Sequence, residues 1–336
     1  MTDRLSEQGY EQARIYLLEQ ARPLERALYR HGIGAIGIPG ASGPDSLQLV
    51  ARTLGEFRCE GGGFGRALEP DCRFAGPSVL ATWTALGILR DLDVRLDDGS
   101  PLASLLRDAL SYVGAQRQGD VWPLLPPAAE VAPHAPWWDQ QPPGQLARTF
   151  EGFTINPTAD LVSMAWRWPG WLDPVDRERI TESAVARVES GPAAGAVNEW
   201  ICAAALATEA AVPRPLRDRL VATLTTRLPE VVQRTPADFR GYGLSPLDVA
   251  PTPQSPFAEV LAEPLETALA ALVAAQQPDG SWAPTWSWMG REPAQWARAR
   301  TEWCGVLTLS AVRRLHTYRR ITHPRFPEQG HSTTGR

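Results

Sequence analysis

One pattern constrains this chain more than any other: an apolar helical run that ends in a polar Gln pair, a Pro-Asp-Gly turn and an aromatic. The fullest copy runs from Ala271 to Trp282 and holds Gln276, Gln277, Pro278, Asp279, Gly280 and Trp282 in that order. A weaker copy from Tyr112 to Trp122 keeps Gln116, Gly119 and Trp122, and a third keeps Gly61, Gly62, Gly63 and Phe64. A unit that repeats as helix, Gly turn and aromatic staple implies helical hairpins stacked side by side. A closed ring of such hairpins encloses a cavity.

The remaining periodicity agrees. A long helix is expected over about residues 8 to 31, stopped by Gly32, and another from about Ser46 to Phe57. Beyond them two kinds of helix alternate. Leu102 to Gln116, Pro174 to Glu189 and Arg214 to Gln233 carry charge on one face, as surface helices do. Pro77 to Arg90, Asn156 to Trp168, Ala194 to Ala211 and Ala297 to Leu315 are poorer in charge and richer in Ala, as buried helices are. Alternation of the two kinds predicts an outer ring around an inner ring. No stretch alternates long enough to predict a sheet.

Two Pro-rich stretches interrupt the rhythm, residues 117 to 150 and 234 to 258. Loops of this length inside a compact domain are usually functional lids or linkers. The first holds His134, Trp137, Trp138 and Asp139, and a linker should be poor in Trp. It is read as a packed lid. The expected organisation is one all-α domain over residues 1 to 322, with 1 to 40 packing on it as an N-terminal helix and 323 to 336 as a disordered tail.

Composition removes several kinds of chemistry. All 33 basic residues are Arg, so Schiff-base catalysis, P-loop phosphate binding and a Lys general base are excluded. With net charge −5, no nucleic-acid footprint is expected. Four scattered cysteines make no disulfide framework. The polar, acidic start is unlike a signal peptide, and no apolar run approaches the roughly 18 residues of a membrane span. A cytoplasmic protein with no integral membrane segment is the expectation; oligomeric state and peripheral membrane contact leave no mark.

Helix, Gln, Asp-Gly and an aromatic together resemble the repeat of squalene and oxidosqualene cyclases. They also resemble the Gly-Gly-Phe repeats of protein prenyltransferase β subunits. The likeness covers about residues 40 to 318 and implies an α/α toroid of five to six hairpins in two concentric rings. The segment Gly61 to Leu89, with Gly62-Gly63-Phe64-Gly65 and Thr82-Trp83, looks like one whole hairpin of that superfamily. The Asp-x-Asp-Asp acid of squalene-type cyclases and the Asp-rich motifs of diphosphate-ionising synthases are missing. In protein prenyltransferases zinc is held by Asp, then Cys two residues later, then a distant His. Here Asp71 and Cys72 are adjacent and Cys304 falls about where that His would, so no metal is expected.

Several residues are candidates for chemistry. Glu69 and Asp71 stand in the turn that feeds an inner helix, where apolar walls would raise a carboxyl pKa and make a proton donor. Asp71 capping backbone N–H groups is the plain alternative. Glu199 and Glu302 each precede a Trp at the start of a small-residue helix; a buried acid there needs a partner or neutralises, and Arg298 or Arg300 could supply one for Glu302. His134, with Asp139 five residues on, is a further candidate acid or base. Thirteen Trp are numerous, and indole faces steady cations by about 2 kcal/mol when desolvated. Trp83, Trp137, Trp138, Trp200, Trp286, Trp288 and Trp303 are therefore expected to bind substrate, with Asn156, Asp160, Glu199 and Tyr242 among them.

These readings converge on an acid-initiated cyclase or isomerase of an isoprenoid or similar polyene, with a small apolar substrate and no cofactor. A carbohydrate-active α/α barrel is the first alternative, with two carboxyls about 5 to 5.5 Å apart, or about 6.5 to 9.5 Å with room for water. A non-catalytic toroid that binds an apolar ligand is the second.

Overall fold

The computed structural model describes residues 4–36, 42–192 and 195–326. Among them the chain is all-helical: α1 (Glu7–Glu19), α2 (Pro23–His31), α3 (Pro44–Gly55), α4 (Val79–Asp91), α5 (Pro101–Ala115), α6 (Gln145–Thr149), α7 (Thr158–Arg167), α8 (Pro174–Ser190), α9 (Val197–Thr208), α10 (Arg214–Val231), α11 (Pro246–Val249), α12 (Ala262–Ala274) and α13 (Pro293–Thr317). Extended pairing among the described residues is limited to isolated bridges.

Helix starts are written into the sequence. Ser100-Pro101, Asp173-Pro174 and Ser245-Pro246 each put a capping side chain before a Pro at the first helical position. The cap satisfies a backbone N–H, and the Pro gives up one that would have none. The same rule corrects the expected long first helix. Pro23 has no N–H to give Glu19 and its ring would clash with that carbonyl, so the chain breaks after Glu19 and restarts as α2. Tyr10 and Tyr29 then meet across the hairpin through their hydroxyls at 2.9 Å.

Helices α7, α9 and α10 are packed as their patterns require. Every residue of α7 from Thr158 to Ala165 is buried, and α9 buries Trp200, Cys202, Ala203, Ala204, Leu206 and Ala207. In contrast α10 buries only Leu220, Leu224 and Leu228, a single stripe at four-residue spacing. Each such Leu contributes about 1.5–3 kcal/mol of burial. Helix α4 packs on α5, α7 on α8 and α9, α9 on α10 and α11, and α12 on α13. Helix α13 also meets α1 and α2, so the two ends of the chain are neighbours. Leu5 pairs with Ile321, its N–H donating to Arg320 O at 2.8 Å.

The repeat has a common mechanism. The backbone N–H of Trp282 donates to Thr308 Oγ1 at 3.0 Å, and that hydroxyl donates to Cys304 O, one turn back on α13. The N–H of Phe64 donates to Thr82 Oγ1 at 2.9 Å, and Thr82 donates to Ser78 O. Each aromatic strand-like residue is thereby fastened to the helix that follows it. The indoles fasten backwards as well: Trp282 Nε1 donates to Leu272 O on α12, and Trp122 Nε1 to Val113 O on α5. Gly280 lies at φ +87° with its Cα against the backbone of Gln12, where a Cβ would stand 2.4 Å from a carbonyl carbon; only Gly fits there.

The Pro-rich stretch 117 to 150 is ordered by short 3-10 turns and α6. Arg73 N–H donates to Pro133 O, Ala135 N–H to Asp71 O, and Leu80 N–H to Leu124 O. It therefore packs on the turn that leads into α4. Of the expected tail, 323 to 336, residues 323 to 326 are described. His323 bonds Glu11 at 3.1 Å and packs with Phe326 against Tyr10. The remainder, 327 to 336, lies outside the described residues.

Candidate functional site

A cavity of about 700 Å³ opens among the turn before α4, the Pro-rich stretch, the start of α9 and the loop before α13. Its wall is largely aromatic: Trp83, Trp137, Trp138, Phe150, Trp286 and Trp303 all line it. Packing fixes these rings. Trp138 stacks on Phe150 at 5.0 Å and 22°, and Trp286 meets Trp303 edge-on at 5.1 Å and 82°, geometries that aromatic quadrupoles favour. The rim carries Tyr242 and Met289, both large and exposed.

Asp71 is buried in this wall. Trp286 Nε1 donates to its Oδ2 at 3.0 Å and Trp288 Nε1 to its Oδ1 at 2.7 Å. Neither Arg66 nor Arg73 pairs with it: Arg66 donates to Glu56 O, and Arg73 forms a bidentate pair with Glu302 at 2.8 and 3.1 Å. Burial pushes the Asp71 carboxyl above its ordinary range, against the pull of the indole donors. Glu69 also lines the cavity, and its Oε2 has no hydrogen-bond partner. Burial, then the nearby Asp71, raise its carboxyl well above the ordinary value. Two acids two residues apart in a dry wall are thus both biased towards the protonated form.

The third acid of the wall is Glu199 on α9. It is 3% exposed, and both of its carboxyl oxygens lack a hydrogen-bond partner. Burial lifts its pKa to about 7; Arg187 opposes this and Glu151 adds to it. Asn156 and Asn198 line the cavity nearby, and Asn198 Nδ2 reaches Tyr242 Oη at 3.4 Å.

Other sequence candidates stand elsewhere. Glu302 is not among the cavity-lining residues and is paired with Arg73 rather than with Arg298 or Arg300. His134 is buried but not among the cavity-lining residues. Its Nδ1 faces Ala132 O at 2.6 Å and its Nε2 faces Asp139 at 3.1 Å. Asp139 in turn is gripped by Arg291, so the trio fastens the stretch to the loop before α13. Asp160 is likewise an anchor: it accepts from Trp83 Nε1 at 2.7 Å and from Arg90, which ties α7 to α4. Trp200 is packed in the core and does not line the cavity. Trp288 touches the site only through Asp71. Trp166 lies under the guanidinium of Arg177, 3.8 Å away, and Trp168 under that of Arg167, so these faces are already occupied.

Asp71, Cys72 and Cys304 do not come together in one site. Cys304 belongs to a separate surface groove with Tyr16, Asp279 and Arg300. Among the described residues no three metal-ligating side chains come together. Sequence reading did not single out Phe150, Glu151, Asn198, Thr285, Ser287 and Met289, all of which line the cavity. The last three flank Trp286, and an extended segment that carries a wall indole exposes its neighbours as well. That signal was present in the sequence. Comparison of the chain with protein-family models, curated proteins and solved structures returns no match.

Proposed function

We propose that the protein is an acid-initiated isomerase or cyclase of an unsaturated apolar molecule, built as an α/α toroid around this cavity. The observation that carries the reading is the pair Glu69 and Asp71, two desolvated carboxyls in a wall of indoles. An alkene is a weak base, so its protonation needs a neutral acid held away from water. In this scheme Asp71 gives its proton to one alkene carbon and the π pair forms the new C–H bond. The positive charge left on the second carbon is steadied by the faces of Trp83, Trp286 and Trp303. The Asp71 carboxylate left behind takes a proton from a neighbouring carbon, whose C–H electron pair forms the new double bond, so the acid is regenerated and the net change is isomerisation, with or without ring closure. In this scheme Glu69, whose Oε2 has no hydrogen-bond partner, exchanges protons between solvent and Asp71. The substrate is a small apolar molecule and the setting cytoplasmic.

The experiment is incubation of the protein with linear isoprenoid polyenes in D₂O, with product analysis by mass spectrometry. Products isomeric with the substrate and carrying one solvent deuteron are expected. Asp71→Asn is expected to lower turnover at least about 10²-fold, the lower end of general-acid contributions. Undiminished turnover in that variant, or products without solvent deuterium, would end the proposal.

A further inference from the structure

The lining of the cavity holds four acids, Glu69, Asp71, Glu151 and Glu199, and among the described residues no Arg or His. The basic side chains closest in the structure are already engaged. Arg73 is bound to Glu302, Arg90 to Asp160, Arg22 to Glu25, and Arg187 lies 3.6 Å from Glu151. A phosphate or carboxylate group entering this space would find no basic side chain in the lining to pair with, and an ionised Glu199 repels it. Aromatic faces and unpaired acids are the surroundings that hold an organic cation.

Within this wall Glu199 stands apart. Glu69 and Asp71 sit on one turn, Asp71 already holds two indole donors, and Glu151 pairs with Arg187. Glu199 is buried with two oxygens and no donor for either, a state that costs the fold the full desolvation of the group. A ligand that brings positive charge to this oxygen pair removes that cost.

We propose that the cavity binds an organic ammonium ion, a tertiary or quaternary amine on an apolar body, with Glu199 as its counter-ion and the indoles as its cage. The proposal takes from the reading above only the cavity, not the proton transfer. Charge on Glu199 is what the ligand requires, so binding follows the ionisation of this group. Its charged neighbours are Arg187 of α8 and Glu151 from the segment before α7; Cys202 on its own helix lies near both Glu199 and Asp160 of α7, and Arg90 holds Asp160. Tyr242 comes from the loop before α11, and Asp248 of α11 is bound by Arg314. From α10, Arg227 reaches Glu189 O rather than the cavity. Of these, Glu151 and Arg187 act on Glu199 directly.

The test is isothermal titration calorimetry with decyltrimethylammonium, decanol and decyl phosphate, each below its aggregation concentration. The ammonium is expected to bind more tightly than decanol, and decyl phosphate not at all. Its affinity should rise about tenfold from about pH 6 to pH 8, the ratio of ionised fractions for a group titrating near 7. Glu199→Gln should abolish the rise and Glu199→Asp should keep it. Glu151→Gln, which leaves Glu199 in place, should move the midpoint to lower pH, because Glu151 raises the Glu199 pKa. Equal binding of decyl phosphate, pH-independent ammonium binding, an unchanged Glu199→Gln profile, or no binding of any probe would overturn the proposal. Polyene turnover is read separately, so loss of one result leaves the other standing.

Discussion

Glu199 gives the residue scale its clearest test in stability. Its carboxyl ordinarily titrates near 4.5 and in the fold near about 7. The native state therefore binds the proton more tightly than the unfolded chain. Its contribution is full below about pH 4.5, falls as pH rises through about 7, and is flat above. Glu69 and Asp71 act with the same sign. Urea unfolding of Glu199→Gln against wild type from pH 4 to 8 should show the variant gaining relative stability across that window. A difference that does not change with pH would show that Glu199 is solvated. The same logic separates what the sequence revealed about acids from what it hid. An acid before Trp at the start of a small-residue helix marked both Glu199 and Glu302 as buried. Pairing is decided by residues far along the chain: Arg73 lies 229 positions from Glu302, and local spacing holds no trace of that contact.

At the scale of the element, the helix–Gly–aromatic unit was legible because its physics is local. A Gly at positive φ, an aromatic and a Thr on the following helix that holds its N–H all fall within about 30 residues. Thr308 is the element's closing bolt. Thr308→Val keeps the shape, but removes the acceptor for Trp282 N–H in a buried place. It should cost about 1–3 kcal/mol in chemical denaturation, and Thr308→Ser should recover most of it. Equal losses for Val and Ser would mean that the methyl group matters and the hydroxyl does not. The Pro-rich stretch was less legible, because nothing periodic describes it. Its Trp content announced packing, while the assignment of His134 to anchoring rather than chemistry depends on Ala132 O and Arg291, contacts set by tertiary structure. The first helix was misjudged for a simpler reason: the apolar period continues through Pro23, whereas hydrogen bonding does not.

For the whole molecule, the decisive contact is the meeting of the ends. Ile321 is 2% exposed, against Leu5. Ile321→Ala should cost about 2–5 kcal/mol and lower the thermal midpoint in a single transition, since α1 and α13 are packed together. A separate early transition would show that the ends are an appendage to an independently stable body. That contact also has a bearing on how the protein is made. A chain leaves the ribosome from its N-terminus, so α1 and α2 emerge long before α13, their partner. Until α13 is released, the faces of α1 and α2 that it covers stand open as an adhesive edge, and the yield of folding in a cell depends on what shields that edge in the interval.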